Sequence, residues 1–383
     1  MAQPTLRFRP DGTCKVMQIS DVQELCGITP RTKALIGAAL DKEKPDFVIF
    51  TGDQLSGNGS SLWFVKSEKK AARIRQTMRA LVELLEARGI PFTFTLGNHD
   101  HSTPMSADDQ VACYMESPLC CAEVSPEGVP GFANHVVPVY SANGGEGGAP
   151  AMLIYCLDSH TGLGLGYMPL DPAQVEWYRN TRDAMAEKNG GNPIPSMLFQ
   201  HIPVEEINEL YTEVPKRAKG VLEGYGNYQG KFFVLNEELA QGFMGELPSA
   251  PNTNAGLFDA AREKGEMMGM FFGHDHKNGF LGKVRGLTLG YSPSAGYCAY
   301  GPGRKRGVRV FQFNESGLQD YQTKIVTDEE LLGDTKLKLF VRMLDSTPSS
   351  LGDAKNRLRR AAIPLLLILL GIAGVIWGLT ALL

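Results

Sequence analysis

Apolar residues in this chain fall into short runs separated by polar and glycine-rich stretches. Residues 16–20 form the first run and end against an acidic residue. Residues 31–44 carry apolar positions at helical spacing and stop before Pro45, so they predict a helix. Residues 47–50 are continuously apolar, as a strand covered on both faces requires. Residues 66–88 predict a long amphipathic helix closed by Gly89 and Pro91, with a strand at 92–96 after it. Strand, helix, strand, helix, strand in that order implies parallel strands with right-handed crossovers. Further apolar runs lie at 151–157, 197–199 and 268–272. From 280 to 313 the pattern becomes strand-rich, with turns at Gly282, Gly286, Gly301 and Gly303. Residues 307–313 predict a late strand of an antiparallel pair. Residues 57–61, 101–134, 141–150 and 202–255 are rich in Gly, Pro, Ser and Asn and predict loops, long enough to shape a pocket. A charged amphipathic stretch at 328–344 and a flexible linker at 346–352 follow.

The last segment changes the picture. Residues 361–383 contain no charge, and as a helix these 23 residues would span roughly 34 Å, against a hydrocarbon layer of about 30 Å. A buried core helix is seldom so long and so apolar, so a transmembrane anchor is expected. Lys355, Arg357, Arg359 and Arg360 precede it, which places the rest of the chain on the cytoplasmic side. Gly374 and Gly378 form a GxxxG pair that could support a homodimer. Residues 1–10 have no apolar core and do not read as a signal peptide. The expected division is a catalytic domain at 1–327, an amphipathic stretch and linker at 328–360, and the anchor at 361–383.

Composition narrows the class. With 43% hydrophobic and 21% charged residues the chain is globular. A net charge of -4 gives no reason to expect bulk nucleic-acid binding. The seven cysteines, Cys14, Cys26, Cys113, Cys120, Cys121, Cys156 and Cys298, form no CxxC pair and read as thiols in a reducing compartment.

Five short motifs sit at the ends of predicted strands: Asp21-Val22-Gln23, Gly52-Asp53, Gly97-Asn98-His99-Asp100, His201, and Gly273-His274-Asp275-His276. Each offers a carboxylate, amide oxygen or imidazole able to ligate a metal. Loops at the carboxyl ends of parallel strands converge on one crevice, so these motifs can meet there. Singly they are ordinary, since Gly-Asp is a common turn and a lone histidine is usually structural. Their order, spacing and strand context together point to a metal centre.

This set resembles the calcineurin-like metallophosphoesterase superfamily, whose pattern runs D-x-H, G-D, G-N-H-D/E, H, G-H-x-H. The resemblance covers residues 16–313. The neighbourhoods Tyr155 to Ser159, His201-Ile202-Pro203, Gly273 to Asn278 and Gly307 to Phe311 are similar to short purple-acid-phosphatase-like proteins. The resemblance implies an α/β fold, a four-layer α-β-β-α sandwich of two mixed sheets. It also implies a dinuclear metal-dependent phosphoric ester hydrolase. Asp53 would bridge two divalent metals, Asp21 and His276 would hold the first, and Asn98, His201 and His274 the second. His99 would contact the phosphoryl group and protonate the leaving oxygen, its imidazole held in one tautomer by a hydrogen bond to Asp100. Cations about 3.5–4 Å apart would clamp an in-line attack by a bridging hydroxide on a phosphomonoester, phosphodiester or pyrophosphate.

The chain departs from the pattern at Gln23, where the family has His. Purple acid phosphatases also lack that His but place a Tyr three residues after the Gly-Asp aspartate, where this chain has Ser56. Gln23 could ligate through its amide oxygen, directly or through water. That would favour Mn²⁺ or Fe²⁺, with Zn²⁺ still open. The loss also motivates a second class of function, a metal-poor, membrane-tethered binding scaffold. Retention of His99 beside Asp100 favours the enzyme. His101 and His160 are either pocket-facing or solvated, Asp158 is expected to brace the site, and Arg304-Lys305-Arg306 reads as a solvated turn or a phosphate-steering loop. The substrate is expected to be a small-molecule or lipid-linked phosphoester; the loops, not the motifs, decide which.

Overall fold

The Phe47–Thr51 strand is buried along its whole length, which requires cover on both faces. Thr13–Ile19 and Phe92–Thr95 flank it in parallel. Beyond Thr13–Ile19, the antiparallel strands Gly307–Asn314 and Gln322–Thr327 complete a five-stranded mixed sheet. A second mixed sheet has eight strands. Its parallel centre is Met152–Leu157, Ser196–Gln200, Met267–Phe272 and Leu287–Tyr291. Leu6–Arg7 and His135–Tyr140 extend one edge, and Leu281–Val284 and Ala240–Gln241 the other. This computed structural model describes residues 4–25, 27–57, 66–144, 148–163, 166–224, 228–333 and 336–345.

Alternation along the strands divides the core. Phe47 and Ile49 point into the seam between the sheets, where they meet Val16, Ile154, Phe199, Phe271 and Phe311. Val48 and Phe50 point the other way, against the helices Pro30–Glu43, Ser67–Glu86 and Ala107–Met115. A third core seats Pro172–Lys188 and Leu257–Arg262 on the outer face of the eight-stranded sheet. The layers therefore run helix, sheet, sheet, helix, as expected of an α/β chain with this strand order.

Local chemistry sets the helix ends. Pro30–Glu43 starts at an N-cap Thr29 with Pro at the first position, and stops at Lys44 in a left-handed conformation. Pro172–Lys188 opens on a capping box of Asp171 and Gln174.

Two predicted loops contain regular structure. Region 101–134 holds the Ala107–Met115 helix, capped by Ser106 and packed through Tyr114 against Phe92 and Phe94. Region 202–255 holds a small antiparallel sheet of Tyr211–Glu213, Phe232–Leu235 and Leu222–Glu223. Strands of two to four residues are too short to show alternation in a sequence.

The segment after 327 folds back as two short helices, Asp328–Leu332 and Leu339–Asp345. Asp328 is buried and paired with Arg31 at 2.7 Å, and Val341 packs with Leu35 and Tyr297. The linker at 346–352 and the expected anchor at 361–383 lie outside the described residues. Among the described residues no helix is long and apolar enough to cross a membrane.

Candidate metal centre

Every motif leaves the carboxyl end of a strand. Asp21 and Gln23 follow Thr13–Ile19, Asp53 follows Phe47–Thr51, and Asn98 opens a helical turn, Asn98–His101, after Phe92–Thr95. His201 directly follows Ser196–Gln200, and His274 and His276 follow Met267–Phe272. The loops bond to one another: Asp21 N–H donates to Gly52 O (3.2 Å), Gln23 N–H to Asp53 O (2.9 Å) and Gly273 N–H to His201 O (3.1 Å). Two glycines are required by close approach. A Cβ at Gly52 would enter the His201 ring, and one at Gly97 would meet the Asp53 carboxylate.

The side chains converge on Asp53. Its Oδ2 accepts from Gln23 Nε2 at 2.8 Å and lies 3.3 Å from His201 Nε2. Its Oδ1 accepts from the His99 N–H at 2.8 Å. On one side, Asp21 Oδ1 is 3.4 Å from His276 Nε2, and ligand atoms of Asp21, Asp53 and His276 all lie within 4.8 Å of one another. On the other side, His201 Nε2 is 3.1 Å from Asn98 Oδ1 and 3.3 Å from His274 Nδ1.

The tautomers of two imidazoles follow from their outer partners. His201 Nδ1 donates to Thr51 O at 2.9 Å, and His276 Nδ1 to Tyr300 O at 2.8 Å. A carbonyl only accepts, so in the neutral ring each Nε2 is left to offer a lone pair to the cluster. Metal-ligating histidines are commonly oriented this way.

The electrostatics show what the cluster lacks. Burial pushes the Asp21 carboxyl up to about 8, with the Asp53 charge adding to the rise. Burial acts on Asp53 in the same sense, but the imidazoles of His201 and His99 hold it well below the usual carboxylate range. Burial alone would lower His201, yet the Asp53 carboxylate raises it to about 10. Burial lowers His276 to about 3 and His274 well below its ordinary value. Buried oxygens facing imidazole nitrogens favour positive charge between them, which a proton on His201 supplies and a bound cation would replace. Carboxylates, neutral imidazoles and an amide are a donor set that fits divalent cations, and Asp21, Asp53 and His276 could hold one.

The sequence model of the calcineurin-like phosphoesterase family matches residues 14–278, more than half of the chain. The chain belongs to that family. It is 27% identical to probable inactive purple acid phosphatase 14 of Arabidopsis thaliana, over 80% of this chain and 77% of that protein. It is 24% identical to phosphatase DCR2 of Saccharomyces cerevisiae, over 90% of this chain and 58% of that one. Among solved structures, a dimetal phosphatase from Danio rerio aligns with a TM-score of 0.47 at 11% identity, over 82% of this chain and 98% of that one.

Within this member of the calcineurin-like phosphoesterases, His99 differs from the groups around it. Its side chain is 44% exposed, while Asp21, Asp53, His201 and His276 are buried, so it is open to a ligand at the rim. Its Nε2 stands 4.0 Å from Asp53 Oδ2.

Asp100 corrects an expectation. Its carboxylate does not hold the His99 ring but accepts from the backbone amides of Gly97 (2.8 Å), Leu55 (2.9 Å) and Gln54 (3.4 Å). Adjacent residues on a helical turn point in different directions, so Asp100 faces inward while His99 faces out. Its work is to fasten the Asp53 loop to the Gly97 turn.

His101 is bonded to Asp158 at 2.9 Å, and His160 to Gln174 at 2.7 Å. Asp158 also accepts from the Phe132 and His160 amides, so it braces the loops beside the centre. The basic run is only partly solvated, with Lys305 exposed. Arg306 is fully buried, Arg304 lies 3.7 Å from Asp328, and Lys305 stands over the Phe243 ring. Two aromatics at the centre carried no sequence signal. Tyr300 stacks on His276 at 4.2 Å and 9°, and Tyr167 meets His274 edge-on at 4.3 Å.

Proposed function

We propose that the chain is a two-metal phosphoesterase that hydrolyses a phosphomonoester, phosphodiester or pyrophosphate. The observation that carries this reading is the convergence of Asp21 and His276 on one side of Asp53 and of Asn98, His201 and His274 on the other, with the Nε2 atoms of His201 and His276 aimed inward. Asp53 stands between the two groups and would be shared by both cations. Asp21 and His276, with Gln23 beside them, would hold the first cation; Asn98, His201 and His274 would hold the second. Bound there, two cations would supply charge to offset that of the phosphoryl oxygens and to lower the pKa of a bound water. His99, fixed through its backbone to Asp53 and exposed at its ring, donates the proton that the leaving oxygen needs. Asp100 keeps the two loops that carry Asp53 and His99 in register. An amide oxygen from Gln23 suits Mn²⁺ or Fe²⁺ better than Zn²⁺.

The test is removal and return of the metal. Chelator-treated protein should lose hydrolysis and regain it with Mn²⁺. Asp53→Ala or His201→Ala should cost orders of magnitude in rate, because each removes a ligand that organises the clamp. Full activity after verified metal removal would overturn this reading.

A second reading has observations behind it: the family histidine is replaced by Gln23, and three Arabidopsis relatives are named probable inactive purple acid phosphatases. On that reading the fold is a metal-poor binding scaffold. Metal content of the purified chain separates the two, since a scaffold has no need of two equivalents.

A further inference from the structure

Arg306 takes no part in the chemistry proposed above, yet its side chain is fully buried. A buried charge is costly unless its donors are used. Nη1 donates to Ser294 Oγ at 3.0 Å and to the Gly296 carbonyl. Nη2 donates to the Ala299 carbonyl at 2.8 Å and to the Asp345 carboxylate. The guanidinium also stands 5.0 Å from the Tyr297 ring centre. All of these partners except Asp345 belong to one segment, residues 294–299. Gly301 is packed so closely that a Cβ there would enter the guanidinium.

The same segment supports the first metal position. Ala295 N–H donates to Ser20 O at 2.9 Å, Gly296 N–H to Asp21 O at 3.2 Å, and Ser294 N–H to His276 O at 3.1 Å. One residue on, Tyr300 accepts from His276 Nδ1 through its carbonyl and stacks its ring on that imidazole. Asp21 and His276 are thus both bonded to backbone that one guanidinium gathers. Of the residues assigned to the second cation, Asn98 and His201 follow the Phe92–Thr95 and Ser196–Gln200 strands and share none of these bonds, while His274 meets the network through its N–H on the Asp21 carboxylate.

The carboxylate that holds this guanidinium comes from far along the chain. Asp345 ends the Leu339–Asp345 helix, which docks through Val341 beside Leu35 and Tyr297. We infer that Arg306 is a positioning residue for the first cation and that Asp345 fixes it, so that docking of the tail helix and affinity for that cation are coupled. The inference rests on the reading that Asp21, Asp53 and His276 hold a cation. Without the Asp345 charge the guanidinium loses its carboxylate partner, the carbonyls at 296 and 299 lose a firmly held donor, and the His276 imidazole loses its fixed direction. Coupling is reciprocal, so the first cation also tightens the tail.

The experiment is a Mn²⁺ titration of the metal-stripped full chain, with free Mn²⁺ counted by electron paramagnetic resonance. Wild type should bind two equivalents. Asp345→Asn and Arg306→Lys should keep one at wild-type affinity and bind the other about 10-fold more weakly, the low end of the effect of losing an outer partner of a metal ligand, because both act through the backbone of residues 294–299. Arg182→Met removes a buried guanidinium from the helix layer on the far sheet. It should lower Tm and leave both equivalents unchanged. Asp345→Asn is nearly isosteric, so it carries the test if Arg306→Lys does not fold. In wild type, Mn²⁺ should slow amide exchange in residues 339–345, and in Asp345→Asn it should not. Two equivalents at wild-type affinity in Asp345→Asn, or equal weakening of both, would overturn the inference. A wild-type chain that binds no Mn²⁺ would overturn the proposed function instead.

Discussion

Asp21, Gln23, Asp53 and His274 stand on left-handed backbone, with φ of 52°, 45°, 53° and 75°. Each such residue costs about 1–3 kcal/mol, and the conformation persists only where the surroundings dictate it. Here the inter-loop hydrogen bonds dictate it. This strain was invisible in the sequence, which shows which residue types are present but not that the candidate ligands themselves occupy conformations that favour glycine. Gln23 is the position where the strain is easiest to interrogate. Its Nε2 donates to Asp53 Oδ2 at 2.8 Å and faces His276 Nε2 at 3.3 Å. A half-turn of the terminal amide would bring Oε1 to the same place. If that oxygen ligates, Gln23→Ala weakens the first metal more than the second, and one equivalent leaves first on mild chelation. Gln23→His should tighten Zn²⁺, because imidazole suits that ion better than an amide oxygen. Metal counting on the three proteins checks this. Two tightly held ions of equal affinity in all three would make Gln23 a bystander.

The central strands and crossover helices were legible because burial on both faces leaves continuous apolar runs, as at Phe47–Thr51 and Met267–Phe272. The nine-residue Ala107–Met115 helix was not, since its apolar positions lie among residues that also favour turns. Links between the sheets were equally hidden. His135, at the start of His135–Tyr140 in one sheet, bonds through Nε2 to Thr93 Oγ1 of the other at 2.5 Å, while Nδ1 donates to Ala133 O at 2.7 Å. Burial pushes its pKa down to about 4, against the opposing pull of the Ala133 carbonyl, from an ordinary 6.5. Between those values the unfolded chain binds a proton that the native chain refuses. Stability therefore falls as pH drops from 6.5 towards 4, by about 1.4 kcal/mol per unit and on the order of 3 kcal/mol in all. Above 6.5 this group contributes no slope, and below 4 both states are protonated. His135→Gln keeps a polar group at the seam but cannot titrate. Urea midpoints with chelator present, compared across this window, should show the steeper acid loss in wild type. Parallel profiles would rule His135 out as its source.

At the scale of the whole molecule, the sandwich collects its ligand-bearing loops at the carboxyl ends of its parallel strands. The chain then returns past Asp328 and Asp345 before the region outside the described residues begins. We propose that residues 361–383 hold the protein in a bilayer with the catalytic domain on the cytoplasmic side. The length and apolarity of that segment support a span. Lys355, Arg357, Arg359 and Arg360 support that direction, because basic residues next to a span tend to stay in the cytoplasm. The 15 residues between Asp345 and the span reach at most about 50 Å when extended. The centre would then work close to the membrane surface, within reach of lipid-linked phosphoesters as well as soluble ones. In sealed right-side-out vesicles an added protease should leave the domain intact, and detergent should expose it. Ready digestion from outside, before detergent, would reverse the topology.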